Sequence, residues 1–272
     1  MLSPDDSVHL VVANDEHDRR ITETYVLPFY MQLPRNASEL VPSVAAVGRH
    51  APLEDIIELL GSPWRERQVG AWFSLVREEP EILPAVFESL RTSLGDLTAP
   101  ELAAAAVLLG GEDAVPALMD YQAAEVERNF GFSGEVSAAL EYVGRTSLRG
   151  PASDSAKASF EKHLDVAKQI RRVDTTVKAT ATALITRLPA FEDRPPYALG
   201  AQTMSFLLVA QGAETGIGCV ITPKPGSDIF PSERGIEVGL EFWAADARDH
   251  LPRGAEFALK YGRFLGTGQM TS

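Results

Sequence analysis

The sequence predicts a two-part protein in which a helical half is followed by a small antiparallel β-barrel. Through residues 21–143, apolar residues recur at helical spacing between Gly- and Pro-containing breaks. Through residues 203–270, short strand-like runs alternate with clusters of Gly, Pro, Ser and Asp. Between these regions lies the segment Arg149-Gly150-Pro151-Ala-Ser153, and the first Lys of the chain follows at position 157. We therefore predict an acidic, HEAT-like helical domain (1–150), a linker with a connecting helix (151–188) and a β-barrel (189–272).

The helical half is predicted to be a series of short helices. Two-to-six-residue turns join most of them, so neighbours should pack as antiparallel pairs. No strict internal repeat is visible, so an irregular bundle is the alternative to a HEAT-like array. Thr98-Ala-Pro-Glu101 fits a capping box, and Ser133 is predicted to be an N-cap. The predicted helices cover 52–60, 64–77, 80–93, 98–110, 112–128 and 134–143.

Residues 153–188 are predicted to be helical, either as one long helix or as two. An apolar stripe supports this, and three threonines weaken its second half. We expect this segment to dock the two domains. Beyond it, the predicted strands are 203–210, 216–222, 236–243, 256–260 and 264–270. In 236–243 apolar residues alternate with other residues, which is typical of a half-buried strand.

The net charge of −13 is concentrated in the first half of the chain. Residues 1–150 contain 11 Arg, no Lys and 24 Asp or Glu, whereas residues 151–272 contain 14 basic and 14 acidic residues. An acidic surface repels phosphate backbones, so nucleic acid is an unlikely partner of the helical half and a protein with a basic surface is the expected one.

Composition also suggests a location. The single cysteine, Cys219, cannot form an internal disulfide, and a reducing cytoplasm is the simplest compartment. The N-terminal residues lack a signal-peptide pattern, and we expect no membrane partner. We also expect no cofactor, because no P-loop or His/Cys pattern with metal-ligand spacing occurs.

The C-terminal part resembles the C-terminal barrel of elongation factor Tu. The resemblance spans about residues 190–271 and depends mainly on Gly254-Ala-Glu-Phe257-Ala-Leu and Gly262-Arg263-Phe-Leu-Gly266-Thr-Gly268, with Glu214-Thr-Gly-Ile-Gly and Phe230-Pro-Ser before two strands. It implies that Phe257 faces the barrel core and that the barrel contacts tRNA or a translation factor. Gly268 would allow close backbone approach. No GTPase motif accompanies the barrel.

The helical half resembles an uncharacterised bacterial family catalogued as domain of unknown function 6000. The resemblance runs from about Tyr25 to Arg145 and is carried by Val26-Leu-Pro28-Phe29-Tyr30-Met31 and by Trp64-Arg-Glu-Arg67-Gln-Val-Gly70-Ala-Trp72-Phe73. This family implies no activity that can be transferred.

Two groups of residues are candidates for partner binding. The first is Trp64, Arg65 and Arg67, because aromatic and Arg side chains are enriched at binding hot spots. The alternative places Trp72 and Phe73 in the core, Gly70 at a helix crossing and both arginines in pairs with nearby acids. The second group, Arg253, Lys260 and Arg263, lies around the predicted Tyr261-Gly262 turn, with a surface role as its alternative.

No catalytic constellation is present. Ser133 lacks the strand and the final Gly of a nucleophile elbow, and Cys219 is expected to be a small buried residue. The leading hypothesis is a non-enzymatic cytoplasmic protein-binding adaptor, with an immunity-type neutraliser of a basic toxin as one instance. The alternative is tRNA or translation-factor binding through the barrel, and an enzyme of unfamiliar type is a third class.

Overall fold

The computed structural model describes residues 16–30, 33, 37–93, 97–128, 131–174, 176–187, 204–213, 216–223, 235–261 and 263–272. It contains helices followed by a closed antiparallel barrel, as the sequence predicts. The helical region consists of α1 (Glu16–Ile21), a π-helical segment (Thr22–Val26), α2 (Leu27–Phe29), α3 (Ala37–His50), α4 (Leu53–Gly61), α5 (Trp64–Ser74), α6 (Ile82–Thr92), α7 (Ala99–Gly110), a 3₁₀ turn (Gly111–Ala114), α8 (Val115–Arg128), α9 (Ser133–Tyr142) and α10 (Asp154–Arg172).

The helices from α4 to α9 form successive pairs. Each even-numbered helix packs against the next odd-numbered one, α4 on α5, α6 on α7 and α8 on α9. Helix α6 also contacts α4 and α8, while α7 contacts α5 and α9. The helices therefore alternate between an outer layer (α4, α6, α8) and an inner layer (α5, α7, α9). Helix α10 packs against α3, α7 and α9, so it belongs to the helical region.

The crossing of α4 and α5 depends on a glycine, as the sequence suggested. A Cβ atom on Gly70 would lie 2.9 Å from the backbone nitrogen of Leu60 and 3.0 Å from the Cβ of Leu59. Because a backbone atom cannot move aside as a flexible side chain can, the two helices would have to separate. Gly70 therefore allows α5 to contact α4 closely.

We expect Gly70→Ala to destabilise the protein even though Ala favours helices. Overpacking of this kind costs roughly 1–3 kcal/mol. The matched control is Gly61→Ala at the end of α4, where a Cβ atom meets nothing within 4 Å and stability should hold or rise slightly. Urea denaturation of both variants provides the measurement. Equal midpoints would show that the crossing tolerates a methyl group.

The connecting segment is only partly helical. Helix α10 has Ser153 as its N-cap, and the Ser153 side chain accepts a hydrogen bond from the Ala156 backbone N–H. The expectation of helix through residue 188 is wrong for β1 (Ala179–Arg187). There Ala183 and Ile185 are buried while Leu184 between them is exposed, so the side chains follow the period of a strand. The change from helices to barrel therefore falls between Arg172 and Ala179.

Five further strands complete the barrel, and all five were predicted within one or two residues. They are β2 (Met204–Ala210), β3 (Ile217–Pro223), β4 (Ile236–Phe242), β5 (Glu256–Tyr261) and β6 (Arg263–Met270), with a short helix α11 (Ala247–His250) before β5. The strand order is β1-β4-β3-β2-β5-β6, and β6 pairs with β1 to close the barrel. Closure gives each of the six described strands a neighbour on both sides.

The barrel core agrees with the sequence pattern. Val238, Leu240 and Phe242 of β4 are buried, as is Phe257 of β5. A Cβ atom on Gly268 would lie 2.4 Å from the Phe257 ring and 2.8 Å from the Leu184 carbonyl oxygen, so the expected close approach is confirmed. The quoted Phe230-Pro-Ser and Glu214-Thr lie outside the described residues.

The barrel also contacts the helical region. Trp243 and Val220 lie on the outside of the barrel and form an apolar cluster with Ala46 of α3. Helix α3 contacts β2 as well. Because α3 also contacts α10, one helix links the inner helical packing with the barrel.

One stretch of the helical region, Ala99–Arg128, is long and apolar enough to cross a membrane by length and composition alone. It contains α7 and α8, and half of its most apolar window is buried inside the protein. Because a buried core helix passes the same test, this is weak evidence for a membrane span.

Candidate functional site

The Trp64–Arg65 patch forms a small aromatic cluster with Tyr30. The Trp64 and Tyr30 rings meet edge to face, with centroids 5.1 Å apart. The Arg65 guanidinium lies 5.1 Å from the Trp64 ring centroid and 5.3 Å from that of Tyr30. All three side chains are half-buried, so this surface is already packed by cation–π contacts.

Arg67 does not belong to that surface. It is 6% exposed, and its guanidinium donates hydrogen bonds to the Ser62 carbonyl at 3.1 Å and the Ser89 carbonyl at 3.3 Å. Arg67 therefore joins the end of α4 to α6 from inside the protein. Trp72 and Phe73, further along α5, are buried as the alternative interpretation expected.

The basic residues near the β5–β6 turn are only partly available. Arg253 is exposed before β5. The Lys260 ammonium lies over the Phe264 ring, 5.5 Å from its centroid, and is half-buried. Arg263 begins β6 and pairs in register with Tyr261. Of the two side chains of this group that the structure describes, only Arg253 is exposed, whereas proteins that bind a phosphate backbone make several basic contacts.

The outer layer of helices carries an acidic surface, which we call the α6–α8 face. Each of these two helices exposes residues at spacings of three or four, so each exposed row lies along one side of its helix. On α6 the row contains Pro84, Glu88 and Thr92, and on α8 it contains Pro116, Asp120, Ala123 and Glu127. Glu81 and Asp113, also exposed, lie just before the two helices.

Arg91 shows that the two rows are neighbours. Its guanidinium lies 2.9 Å from the Asp120 carboxylate on α8 and 3.7 Å from Glu88 on its own helix. One arginine thus bridges two of the five carboxylates that define the α6–α8 face. Since Arg128 at the end of α8 is the other described base there, the face remains negative.

Most described arginines of the helical region are bound to the protein itself. Arg77 donates hydrogen bonds to three carbonyls at the end of α3 and pairs with Glu79. The hydrogen bond from Arg77 lowers the pKa of Glu79 to about 2. Arg145 pairs with Glu112, and Arg149 with the buried Glu125. These arginines therefore already pair with acids of the protein itself, one of them buried and the others at the surface.

The N-terminal helix is fastened to α4 by a buried carboxylate. Arg20 donates two hydrogen bonds to Asp55, at 2.7 and 2.6 Å, and the Tyr25 hydroxyl donates a third at 2.7 Å. Burial alone would raise the pKa of Asp55, but the hydrogen bonds from Arg20 and Tyr25 outweigh burial and lower it. Glu58, one turn after Asp55 on α4, contacts His17 of α1 at 2.7 Å on the surface.

A second buried carboxylate, Glu101, was not recognised from the sequence. The predicted capping box is wrong: α7 begins after Thr98, but the Thr98 side chain caps nothing. Glu101 instead accepts a hydrogen bond from Gln68 of α5 at 2.7 Å and lies 3.5 Å from Nε2 of His163 on α10. The His163 ring stacks parallel to Trp72, with centroids 6.3 Å apart. This group takes residues from α5, α7 and α10, which lie far apart in the sequence, so only the fold brings them together.

One described cavity lies on the barrel and has a volume of about 730 Å³. It is a groove lined by residues of β1, β2, β5 and β6, among them Leu184, Thr186, Ala258, Phe264 and Thr267. Among the described residues of its lining, Glu256 is the one acid. That described lining brings no two titratable groups together for acid–base chemistry.

The remaining candidates have structural positions. Cys219 is buried, and burial raises the pKa of its thiol. Helix α9 begins at Ser133 with Phe132 as its N-cap, so the predicted N-cap is wrong by one residue. Within the described ranges, no group of three or more His, Cys, Asp or Glu could hold a metal ion.

Comparison with known proteins adds no relative. No protein-family model matches the sequence, no curated protein matches it, and no solved structure matches the fold.

Proposed function

We propose that this chain is a non-enzymatic protein-binding adaptor whose acidic α6–α8 face docks a partner with a basic surface. The observation that carries the proposal is the distribution of charge within the outer helical layer. Five carboxylates, Glu81, Glu88, Asp113, Asp120 and Glu127, lie on or beside the exposed sides of two adjacent helices. Arginines such as Arg67, Arg77 and Arg149 are instead bound to other groups of the protein itself.

Charge complementarity of this kind acts on partner choice and association rate. A negative face attracts a positive patch over about a Debye length, roughly 8 Å at physiological salt, and discriminates against acidic partners. Paired helices that present one exposed side in succession provide a rigid surface for such docking. In its specific form, the proposal is that the paired helices are a HEAT-like array. The partner would then be a basic toxin that this chain neutralises.

The first test uses a helical peptide with lysine at every fourth position as the probe. Four neutralising changes on the face, Glu81→Gln, Glu88→Gln, Asp120→Asn and Glu127→Gln, should weaken peptide binding about tenfold or more, which equals about 1.4 kcal/mol. Isothermal titration at ~50 and ~150 mM salt measures it, and the loss should be greater at low salt.

The matched control has the same change in net charge at other sites. Glu161→Gln, Asp165→Asn, Asp246→Asn and Asp249→Asn neutralise four exposed acids of α10 and the barrel region. This variant should bind the peptide nearly as well as the unmodified chain. Equal losses in both variants would show that only net charge matters and would remove the docking face from the proposal.

The same two variants test cellular partners. A specific partner that co-purifies with the control variant but not with the face variant supports the proposal. Submicromolar binding of tRNA at ~150 mM salt by the unmodified chain would instead favour the translation-linked alternative. Robust turnover of a small molecule with no protein partner would contradict the adaptor hypothesis.

A further inference from the structure

Glu101 and His163 meet at the interface between α7 and α10. Glu101 is 3% exposed, and its second oxygen, Oε2, has no hydrogen-bond partner. The first oxygen, Oε1, receives the Gln68 amide at 2.7 Å and faces Nε2 of His163 at 3.5 Å. An ionised carboxylate in such a place is costly unless a positive charge lies beside it.

The hydrogen bonds of His163 determine what it presents to Glu101. Its Nδ1 lies 2.8 Å from the carbonyl oxygen of Ser159. A carbonyl oxygen only accepts hydrogen bonds, so Nδ1 carries a hydrogen. In neutral imidazole, Nε2 then carries no hydrogen and can only accept a hydrogen bond. It would face a carboxylate oxygen that is also an acceptor. The contact becomes attractive only when an extra proton is bound between the two groups.

We infer that Glu101 and His163 form a proton-dependent latch that holds α10 against α7. With the extra proton bound, an imidazolium faces the buried carboxylate and joins the two helices. Without it, two acceptors face each other where water cannot easily enter. Because α10 ends at Arg172 and β1 begins at Ala179, the docking of α10 also sets where the first strand of the barrel starts. The latch does not depend on the proposed adaptor function.

The other groups around His163 are consistent with this arrangement. From α5, Gln68 and the stacked Trp72 are neutral, and from α9 the charge of Glu135 also favours imidazolium. On α10 itself, Glu161, Lys162 and Asp165 are exposed, and Arg49 and His50 of α3 are exposed at the end of that helix. Burial alone would lower the pKa of His163, but the hydrogen bond and charge of Glu101 outweigh burial and raise it.

The sign of the pH effect follows. A histidine whose pKa is higher in the folded than in the unfolded protein stabilises the fold fully below its unfolded value of 6.5. That contribution is lost as pH rises through the folded pKa. The thermal midpoint should therefore fall above neutral pH for the unmodified chain, and His163→Gln should remove this part of the pH dependence.

The decisive experiment is a proton NMR titration of the histidine rings in the full chain. His50 is the internal reference. Its Nδ1 lies 2.8 Å from the carbonyl oxygen of Ala46, four residues earlier, as that of His163 does from Ser159, but the His50 side chain is exposed. We expect His163 to titrate above 6.5 and to fall below 6.5 in Glu101→Gln, since burial would then dominate.

His50→Gln assigns the reference signal. A His163 that titrates at or below 6.5 in the unmodified chain would overturn the latch, and this result needs no variant to fold beyond those used for assignment. A pKa that does not move in Glu101→Gln, or a His163→Gln variant with an unchanged pH profile, would overturn it equally.

Discussion

Replacement of Trp72 by alanine should unfold the helical region rather than weaken binding alone. Trp72 is 1% exposed and is the largest fully buried side chain in the described residues. Truncation of a buried Trp costs about 3–5 kcal/mol, which is a large share of the roughly 5–15 kcal/mol that stabilises a typical domain. The change also removes the ring on which His163 stacks. Far-UV circular dichroism during urea denaturation measures the effect.

Trp64→Ala is the matched control, because Trp64 lies on the same helix but is only half-buried. It should cost about 1 kcal/mol, which is the centre of the distribution for point substitutions in general. If Trp72→Ala kept its denaturation midpoint and yet lost a protein partner, Trp72 would be a binding hot spot and the core assignment would be wrong.

Asp55→Asn should be the most destabilising change of a charged residue. Asp55 is 2% exposed and receives three hydrogen bonds, two from Arg20 and one from Tyr25. Loss of one partner of a buried ion pair costs about 3–5 kcal/mol. Arg20 is 36% exposed and can regain water, so we expect roughly 2–4 kcal/mol. The N-terminal helix should detach from α4 in consequence.

The pH dependence of this pair has the opposite sign to that of His163. The pKa of Asp55 is lowered from 3.8 by folding, so its contribution is complete above the unfolded value and is lost as pH falls through the folded one. Glu58→Gln, one turn later on α4 and paired with His17 on the surface, is the control and should leave the denaturation midpoint unchanged. Acid denaturation curves that coincide for Asp55→Asn and the unmodified chain would contradict the prediction.

The barrel was more predictable from the sequence than the segment before it. In β4, alternation of Val238, Leu240 and Phe242 with other residues is a local signal, and the buried positions follow it. In residues 179–187, Ala and Leu favour a helix whereas Thr and Ile favour a strand, so the local signal is divided. Pairing with β4 and β6 decides the outcome, and such long-range pairing leaves little local trace.

The candidate site residues also divide into those whose positions local sequence predicts and those whose positions only the fold determines. The burial of Trp72 and the tight crossing at Gly70 follow from local composition, because large apolar residues and Gly have few other uses within a helix. Local composition does not predict the inward position of Arg67 or the contact between Glu101 and His163. Glu101 fits a cap by its spacing from Thr98, and only the packing of α5 and α10 on α7 shows that its carboxylate has other partners.

Closure of the barrel by β1 and β6 has a consequence for how the protein is made. Ala183 pairs with Met270 and Arg187 with Gly266, so the first strand cannot find its second neighbour until the last strand has left the ribosome. At about 5–20 residues per second, synthesis of the intervening chain takes several seconds. The helical region, with contacts mostly between helices adjacent in sequence or nearly so, can fold during that time. Nascent chains stalled before β6 should therefore present a folded helical region joined to strands that are open to chaperones.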